Sequence, residues 1–139
     1  MPFFNWKESA MNKTDKLQPL QEMAIAYANS LPGAKAYWRE DWETYYFDIM
    51  GKMFGIVLDN VITLKNDPYI NTELREQFPF IIPGYHMNKQ HWNSIVVDKN
   101  EFPDEGVKKL IHDSYDLVLK KMTKKQQAEL QLRIDLGQL

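Results

Sequence analysis

One short polar segment holds most of the side chains that could bind a ligand. Residues 82–98 read I-P-G-Y-H-M-N-K-Q-H-W-N-S-I-V-V-D. Imidazole, amide and ammonium groups can donate hydrogen bonds to phosphate, and an exposed aromatic ring can stack on a base. The same residues also suit a structural loop, in which amides bond to backbone and aromatic rings pack in the core. Both interpretations stay open for these residues: Tyr85, His86, Asn88, Lys89, His91 and Trp92.

Metal binding by the two histidines of this segment is not favoured. His86 and His91 are five residues apart, a spacing that places them on different faces of a helix and on opposite faces of a strand. Only a loop could bring them together, and no third ligand lies near in sequence. We therefore expect no metal site and no cofactor.

Acid–base chemistry has one candidate pair outside this segment. His112 and Asp116 are four residues apart, so they can pair on one face of a helix, next to Asp113. A solvated helix face is the preferred interpretation of these residues. The sequence contains no glycine-rich phosphate loop, no G-x-S-x-G and no H-E-x-x-H. We expect no catalytic residues and no enzyme activity.

The composition is that of a small globular protein. A chain of 139 residues with 44% hydrophobic residues fits one domain, residues 1–139, with a real core. The absence of cysteine excludes disulfides and thiol catalysis, and a net charge of −2 argues against a general polyanion binder. The longest apolar run, at 54–58, is too short to span a membrane, and the first residues lack a signal-peptide pattern. We expect a cytoplasmic monomer that does not associate with membranes.

The periodicity of the chain predicts an α+β fold. Three strands with short turns form an antiparallel meander, in which Tyr45, Phe47 and Ile49 face one side. We predict a single antiparallel sheet of about five strands, with the first and third helices packed on one face. The predicted helices are 19–31, 67–79, 104–122 and one after the capping box at Thr123; the predicted strands are 36–39, 44–49, 53–58, 61–65 and 92–97.

Two local expectations concern the surroundings of the polar segment. Ile70, Leu74 and Phe78 are spaced four apart and should face the core, so Phe78→Ala should cost roughly 3–5 kcal/mol. Pro83-Gly84 is a turn signal, with the glycine at positive φ.

Both chain ends differ from the rest. Residues 1–18 form an N-terminal arm, in which Phe3, Phe4 and Trp6 either staple the arm to the body or mark a partner contact. Residues 19–122 form the body. Residues 123–139 form a C-terminal helical tail, and the segment 108–125 before and into it carries six lysines and two aspartates, a net charge of +4.

Several signatures resemble the MmcQ/YjbR family of small bacterial proteins. They are L-P-G-A at 31–34, G-K-M-F at 51–54, L-K-N-D-P at 64–68, L-R-E-Q-F-P at 74–79, P-G-Y-H-M-N-K-Q-H-W-N-S at 83–94 and I-H-D-S-Y-D-L-V at 111–118. The resemblance covers about residues 31 to 120. It implies a CyaY-like sandwich of a sheet with helices on one face. Family members are often labelled DNA-binding because the fold has been likened to a double wing, which is an analogy at the level of the fold. CyaY-like folds also resemble iron-binding frataxins, but the acidic helix ridge of those proteins is absent here.

Two functions from different classes follow. The first is weak, non-specific binding of DNA or single-stranded nucleic acid through a double-wing-like surface, in which histidines would add positive charge in mild acid. Its candidate residues are Lys52, Lys65, Tyr85, His86, Asn88, Lys89, His91 and Trp92. The alternative is a module that binds a protein or small ligand in a pocket around Tyr85, His86 and Trp92, with a strand aromatic such as Tyr46.

Overall fold

A computed structural model describes residues 17–138, which form one six-stranded antiparallel sheet and four α-helices. The prediction of an α+β fold with one antiparallel sheet is confirmed, with six strands instead of about five. The strand order is β1-β2-β3-β4-β6-β5. The elements are α1 Pro19–Ser30, β1 Ala34–Arg39, β2 Thr44–Ile49, β3 Lys52–Leu58, β4 Val61–Lys65, α2 Pro68–Gln77, β5 Ile81–Pro83, β6 Trp92–Val96, a 3-10 turn Val97–Lys99, α3 Asp104–Lys120 and α4 Lys124–Asp135. The predictions made for Phe3, Phe4 and Trp6 lie outside the described residues.

Tight hairpins build the meander from β1 to β4. Ile49 pairs with Lys52, so the β2–β3 turn consists of Met50 and Gly51, which both have positive φ as a two-residue hairpin of type I′ requires. The turn is thus one residue shorter than the gap 50–52 between the predicted strands 44–49 and 53–58. Lys52 becomes the exposed first residue of β3.

The helices cover one face of this sheet. Phe47 and Ile49 are fully buried in the core and Tyr45 packs against it, as the alternation in β2 predicted. Ala24 and Ala28 of α1 and Ile111 of α3 belong to the same core, which confirms that the first and third helices share a face. We call the opposite side the outer face. Its central row runs across the paired strands through Tyr37, Tyr46, Ile56, Thr63, Ser94 and Ile82.

The strand β5 was not predicted from the sequence. Ile81–Pro83 pairs with β6 at the edge of the sheet, so Pro83 ends a strand instead of forming a turn. Gly84 does not have a positive φ, contrary to the expectation. It follows Pro83 where the backbone passes so close to Trp92 that an added Cβ would lie 2.9 Å from the Trp92 carbonyl oxygen. The residue in the left-handed region is instead His86, with φ 62°.

The helix α2 departs from the predicted packing. Ile70 is 47% exposed, so the expectation that it faces the core is wrong. Leu74 and Phe78 are only partly buried, although both pack against the core. The helix has ten residues and lies at the β5–β6 edge of the sheet, so only a narrow stripe of it is covered. The fully buried side chain of this helix is the polar Asn71.

The C-terminal helix α4 packs onto the body. Thr123 and Gln126 form the predicted capping box, with Gln126 N–H donating to Thr123 Oγ1 at 3.0 Å and Thr123 N–H donating to Gln126 Oε1 at 2.9 Å. Leu130 is buried against Gly33, whose φ is 77° and whose added Cβ would lie 2.3 Å from a Leu130 methyl carbon. Within the described residues, no helix is long and apolar enough to cross a membrane.

Candidate nucleic-acid interface

The polar loop 84–91 lies at the end of the sheet where β4 ends and β6 begins. Lys65 is the last residue of β4 and pairs with Trp92, the first residue of β6. The turn between β2 and β3 lies at the same end, because neighbouring strands are antiparallel. The fold therefore brings the hairpin lysine, the end of β4 and the loop to one end of the sheet.

Hydrogen bonds to buried hydroxyl groups hold the start of the loop. Thr63 and Ser94 are fully buried on neighbouring strands, and their hydroxyl oxygens are 2.6 Å apart. Ser94 Oγ also accepts a hydrogen bond from the Tyr85 N–H at 2.9 Å. Gly84 N–H donates to the Trp92 carbonyl at 2.7 Å. Hydrogen bonds to the sheet thus fix the position of the backbone that carries the side chains of Tyr85 and His86.

A polar network from α2 holds the end of the loop. Arg75 Nη1 donates to Asn93 Oδ1 at 2.6 Å and to the Lys89 carbonyl at 3.2 Å. Asn71 Nδ2 donates to the Gln90 carbonyl at 3.1 Å, and Asn93 Nδ2 donates to the Asn71 carbonyl at 3.1 Å. Asn71 and Arg75 were not predicted from the sequence, because each lies far along the chain from its partners. The family signature L-R-E-Q-F-P contains Arg75, but nothing in the sequence indicates its contact.

Two of the predicted site residues have structural roles in the loop. Asn88 Oδ1 accepts hydrogen bonds from the N–H groups of Gln90 at 2.9 Å and His91 at 3.2 Å. Trp92 is only 7% exposed, and its backbone N–H donates to the Asn88 carbonyl at 3.0 Å. A base cannot stack on a buried ring, so the stacking role considered for Trp92 does not fit this structure, and the residue shapes the loop instead.

Tyr85 and His86 are the exposed aromatic side chains of the loop. Tyr85 is 37% exposed, and its ring centroid lies 4.0 Å from that of His86. The left-handed backbone at His86 is uncommon for a residue with a side chain and is found disproportionately at functional sites. Tyr46 lies three strands away from Ser94 along the central row, roughly 14 Å at ordinary strand spacing. Tyr46 therefore does not share one compact pocket with Tyr85 and Trp92.

Lys65 is the most unusual charged residue at this end of the sheet. Its Nζ lies 5.8 Å from the centroid of the Trp92 ring, within the range of a cation–π interaction. Partial burial lowers the pKa of Lys65, and the nearby charge of Lys121 lowers the pKa further. Among residues 17–138, no acidic side chain pairs with Lys65. A partly desolvated ammonium with a second ammonium nearby attracts an anion, because an anion would relieve both effects.

The remaining predicted residues lie at the same end of the sheet as Lys65. Lys89 is exposed, and its Nζ lies 3.4 Å from the Gly84 carbonyl. Lys52 is exposed at the start of β3. His91 is half-buried, and its carbonyl accepts a hydrogen bond from Asn66 N–H at 3.1 Å. We call the group of Lys52, Lys65, Lys89 and Lys121 the basic end. The loop 84–91, which contributes Lys89 to this group, contains no acidic residue.

The other chemistry considered from the sequence has no comparable support. Asp116 Oδ2 lies 3.0 Å from His112 Nδ1, and both side chains are more than 40% exposed, as on a solvated helix face. Within residues 17–138, no three histidine, aspartate or glutamate side chains cluster as a metal site would require.

Comparisons with known proteins show to which family the chain belongs. The YjbR family model matches residues 29–117. The uncharacterized protein YbdF of Escherichia coli O157:H7 is 35% identical over 114 residues, which are 79% of this chain and 93% of YbdF. The uncharacterized protein YjbR of Escherichia coli K12 is 28% identical over 95 residues, or 66% of this chain and 80% of YjbR.

A solved structure is also similar to this chain in fold and in sequence. The crystal structure of Deinococcus radiodurans protein DR2400 is similar with a TM-score of 0.67 and 34% identity, and the match covers 76% of this chain and 83% of that one. The family model covers well over half of the chain and includes all of the loop 84–91. The chain therefore belongs to the YjbR family.

Proposed function

We propose that this protein binds nucleic acid weakly and without sequence preference, through the basic end. The observation that carries the proposal is Lys65, a partly buried lysine that lies over the Trp92 ring, near Lys121 and without an acidic partner among the described residues. Phosphate is the anion that a row of lysines at a sheet end would contact, since lysine acts as a point charge without reading bases.

The arrangement supports backbone contacts more than base contacts. Trp92 is buried, so its ring offers no stacking platform of the kind that binding of single strands generally uses. The basic end has only four lysines and the chain carries a net charge of −2, so we expect micromolar or weaker affinity at physiological salt, in the non-specific range. We expect similar affinities for single-stranded and double-stranded DNA of the same length.

Fluorescence anisotropy with labelled oligonucleotides tests the proposal. Wild type should bind both forms at about 50 mM salt and lose affinity steeply towards 200 mM, because bound phosphates release counterions. Lys65→Met removes the charge but keeps an apolar stem on Trp92, so it should weaken binding and lower the salt slope by about 0.9 for duplex DNA. Lys99→Met is the matched control, because Lys99 is exposed at the other end of β6.

The double variant Lys52→Ala/Lys89→Ala tests the neighbours of Lys65 separately. A loss of affinity in this variant would show that the DNA contact extends across the basic end. Unchanged affinity would mean that the DNA contacts only Lys65 and Lys121, or the lysines at 120–125 without Lys65. The absence of binding by wild type at low salt would end the proposal. A ligand whose affinity hardly changes with salt would favour a pocket beside Tyr85 and His86 instead.

A further inference from the structure

A second exposed cluster lies on the outer face, near the turn between β1 and β2. Its members are Tyr37, Arg39, Trp42 and Tyr46, which we call the hairpin cluster. The Arg39 guanidinium carbon lies 4.9 Å from the centroid of the Trp42 ring and 4.8 Å from that of Tyr46. The Trp42 and Tyr46 rings meet edge to face with centroids 5.8 Å apart. The guanidinium group is thus held against two aromatic rings.

The hairpin cluster is ordered by its own contacts. Asp41 accepts hydrogen bonds from Arg39 Nη2 at 2.8 Å and from Arg39 Nε at 3.2 Å, which fixes the guanidinium plane. The Tyr37 ring lies 5.9 Å from that of Tyr46, and its hydroxyl donates to Asp48 Oδ2 at 3.1 Å. A partner would therefore meet side chains that are already in place, which lowers the entropic cost of binding.

The hairpin cluster is exposed in spite of its composition. Trp42 is 54% exposed and Tyr37 is 38% exposed. Tryptophan, tyrosine and arginine are the residue types that contribute most to binding energy at protein interfaces. Scattered exposed apolar residues need no explanation, but an ordered group of these three types on one surface favours a binding role.

Charge decides what kind of partner fits. Residues 39–43, at the β1–β2 turn, contain three acidic residues and one basic residue, Arg39, whose charge is paired with Asp41. Glu43 is exposed in the turn, and Asp48 faces outward beside Tyr37. This surface repels phosphate and attracts cations. The way in which Arg39 packs on Trp42 and Tyr46 shows that these rings accommodate a guanidinium group.

We propose that the hairpin cluster is a docking surface for a cationic segment of a partner protein, whose arginine side chains stack on the exposed part of Trp42 and pair with Glu43. This contact is separate from the basic end. At ordinary strand dimensions Arg39 on β1 lies about 20 Å from Lys65 on β4, three strands across and four residues along the sheet.

An NMR titration of the full isotope-labelled chain tests this proposal. The probe is a short peptide of alternating glycine and arginine, and the control peptide has serine in place of arginine. The indole N–H signal of Trp42 should shift saturably with the arginine peptide only, while the signal of the buried Trp92 stays in place and reports an intact fold. Trp42→Ala should weaken binding about two- to fivefold, and Glu43→Gln should weaken it and reduce its dependence on salt.

Tyr69→Ala is the matched control, since Tyr69 is an 84% exposed aromatic residue on α2. It should leave the affinity for the arginine peptide unchanged. Equal binding of both peptides, or equal affinity of wild type and Trp42→Ala, would overturn the proposal. Self-association of wild type without peptide, abolished by Trp42→Ala, would also overturn it by assigning the hairpin cluster to a second copy of the chain.

Discussion

Replacing Ser114 by alanine tests how the core supports the basic end. Ser114 is fully buried in α3, and its hydroxyl donates to the Phe54 carbonyl at 2.5 Å. The same oxygen accepts a hydrogen bond from the Lys65 N–H at 2.9 Å. One hydroxyl group thus satisfies backbone groups of two neighbouring strands, β3 and β4, and one of them belongs to the residue that carries the proposed function.

The magnitude follows from the two groups that alanine would leave unpaired. A buried backbone group that loses its partner costs about 1–3 kcal/mol. The Phe54 carbonyl is deeply buried, whereas the Lys65 N–H is only partly buried and belongs at the lower end of that range. We therefore expect Ser114→Ala to lower the free energy of unfolding by roughly 2–4 kcal/mol, a large part of the 5–15 kcal/mol typical of small proteins.

Urea unfolding followed by far-UV circular dichroism measures this change. The midpoint should fall without a change in slope, because the surface exposed on unfolding stays the same. Ser30→Ala is the control, since the Ser30 hydroxyl donates to the exposed Tyr27 carbonyl and its loss should be nearly neutral. A loss below about 0.5 kcal/mol for Ser114→Ala would refute the reasoning, because both backbone groups would then have found other partners.

Three further substitutions have expected outcomes. Gly33→Ala should lower the melting temperature more than Gly51→Ala, because both glycines have positive φ but only an alanine at position 33 would place a Cβ 2.3 Å from Leu130. Equal decreases in melting temperature would show that α4 shifts away from the added Cβ at little cost. Phe78→Ala should cost about 2–3 kcal/mol in urea unfolding, less than for a fully buried phenylalanine, because Phe78 is partly exposed. Lys65→Met should stabilise the protein at neutral pH, because the lowered pKa of Lys65 means that folding disfavours its charge. The gain in the free energy of unfolding, measured across alkaline pH, should be full below the folded-state pKa of Lys65 and should shrink as the pH rises through it.

The sequence predicted the parts of the fold that depend on local signals. The alternation of β2 and the capping box of Thr123 and Gln126 both take their predicted places. These features depend on neighbours within four residues, so periodicity and capping chemistry suffice to find them. The predicted division into an arm, a body and a tail stays a prediction.

The parts that were missed depend on contacts between distant residues. β5 has three residues and includes a proline, too little for a period-two pattern, and it forms only because β6 supplies a partner. Arg75 reaches Asn93, eighteen positions along the chain, to hold the loop. The sequence left open whether Trp92 is exposed or packed, and its burial goes with the close passage of Gly84, which is distant from it by eight positions along the chain.

Net charge is a poor guide to partners for this fold, because the sheet separates its charges. The loop 84–91 contains no acid, while residues 39–43 carry three acids and one base. The Debye length at physiological salt is about 8 Å, shorter than the roughly 20 Å between Lys65 and Arg39. Each surface should therefore attract its own class of ligand independently of the overall charge of −2. If that is so, Lys65→Met should weaken binding of DNA alone, and Glu43→Gln should weaken binding of the arginine peptide alone. An effect of either substitution on the other ligand would mean that the two surfaces are not independent.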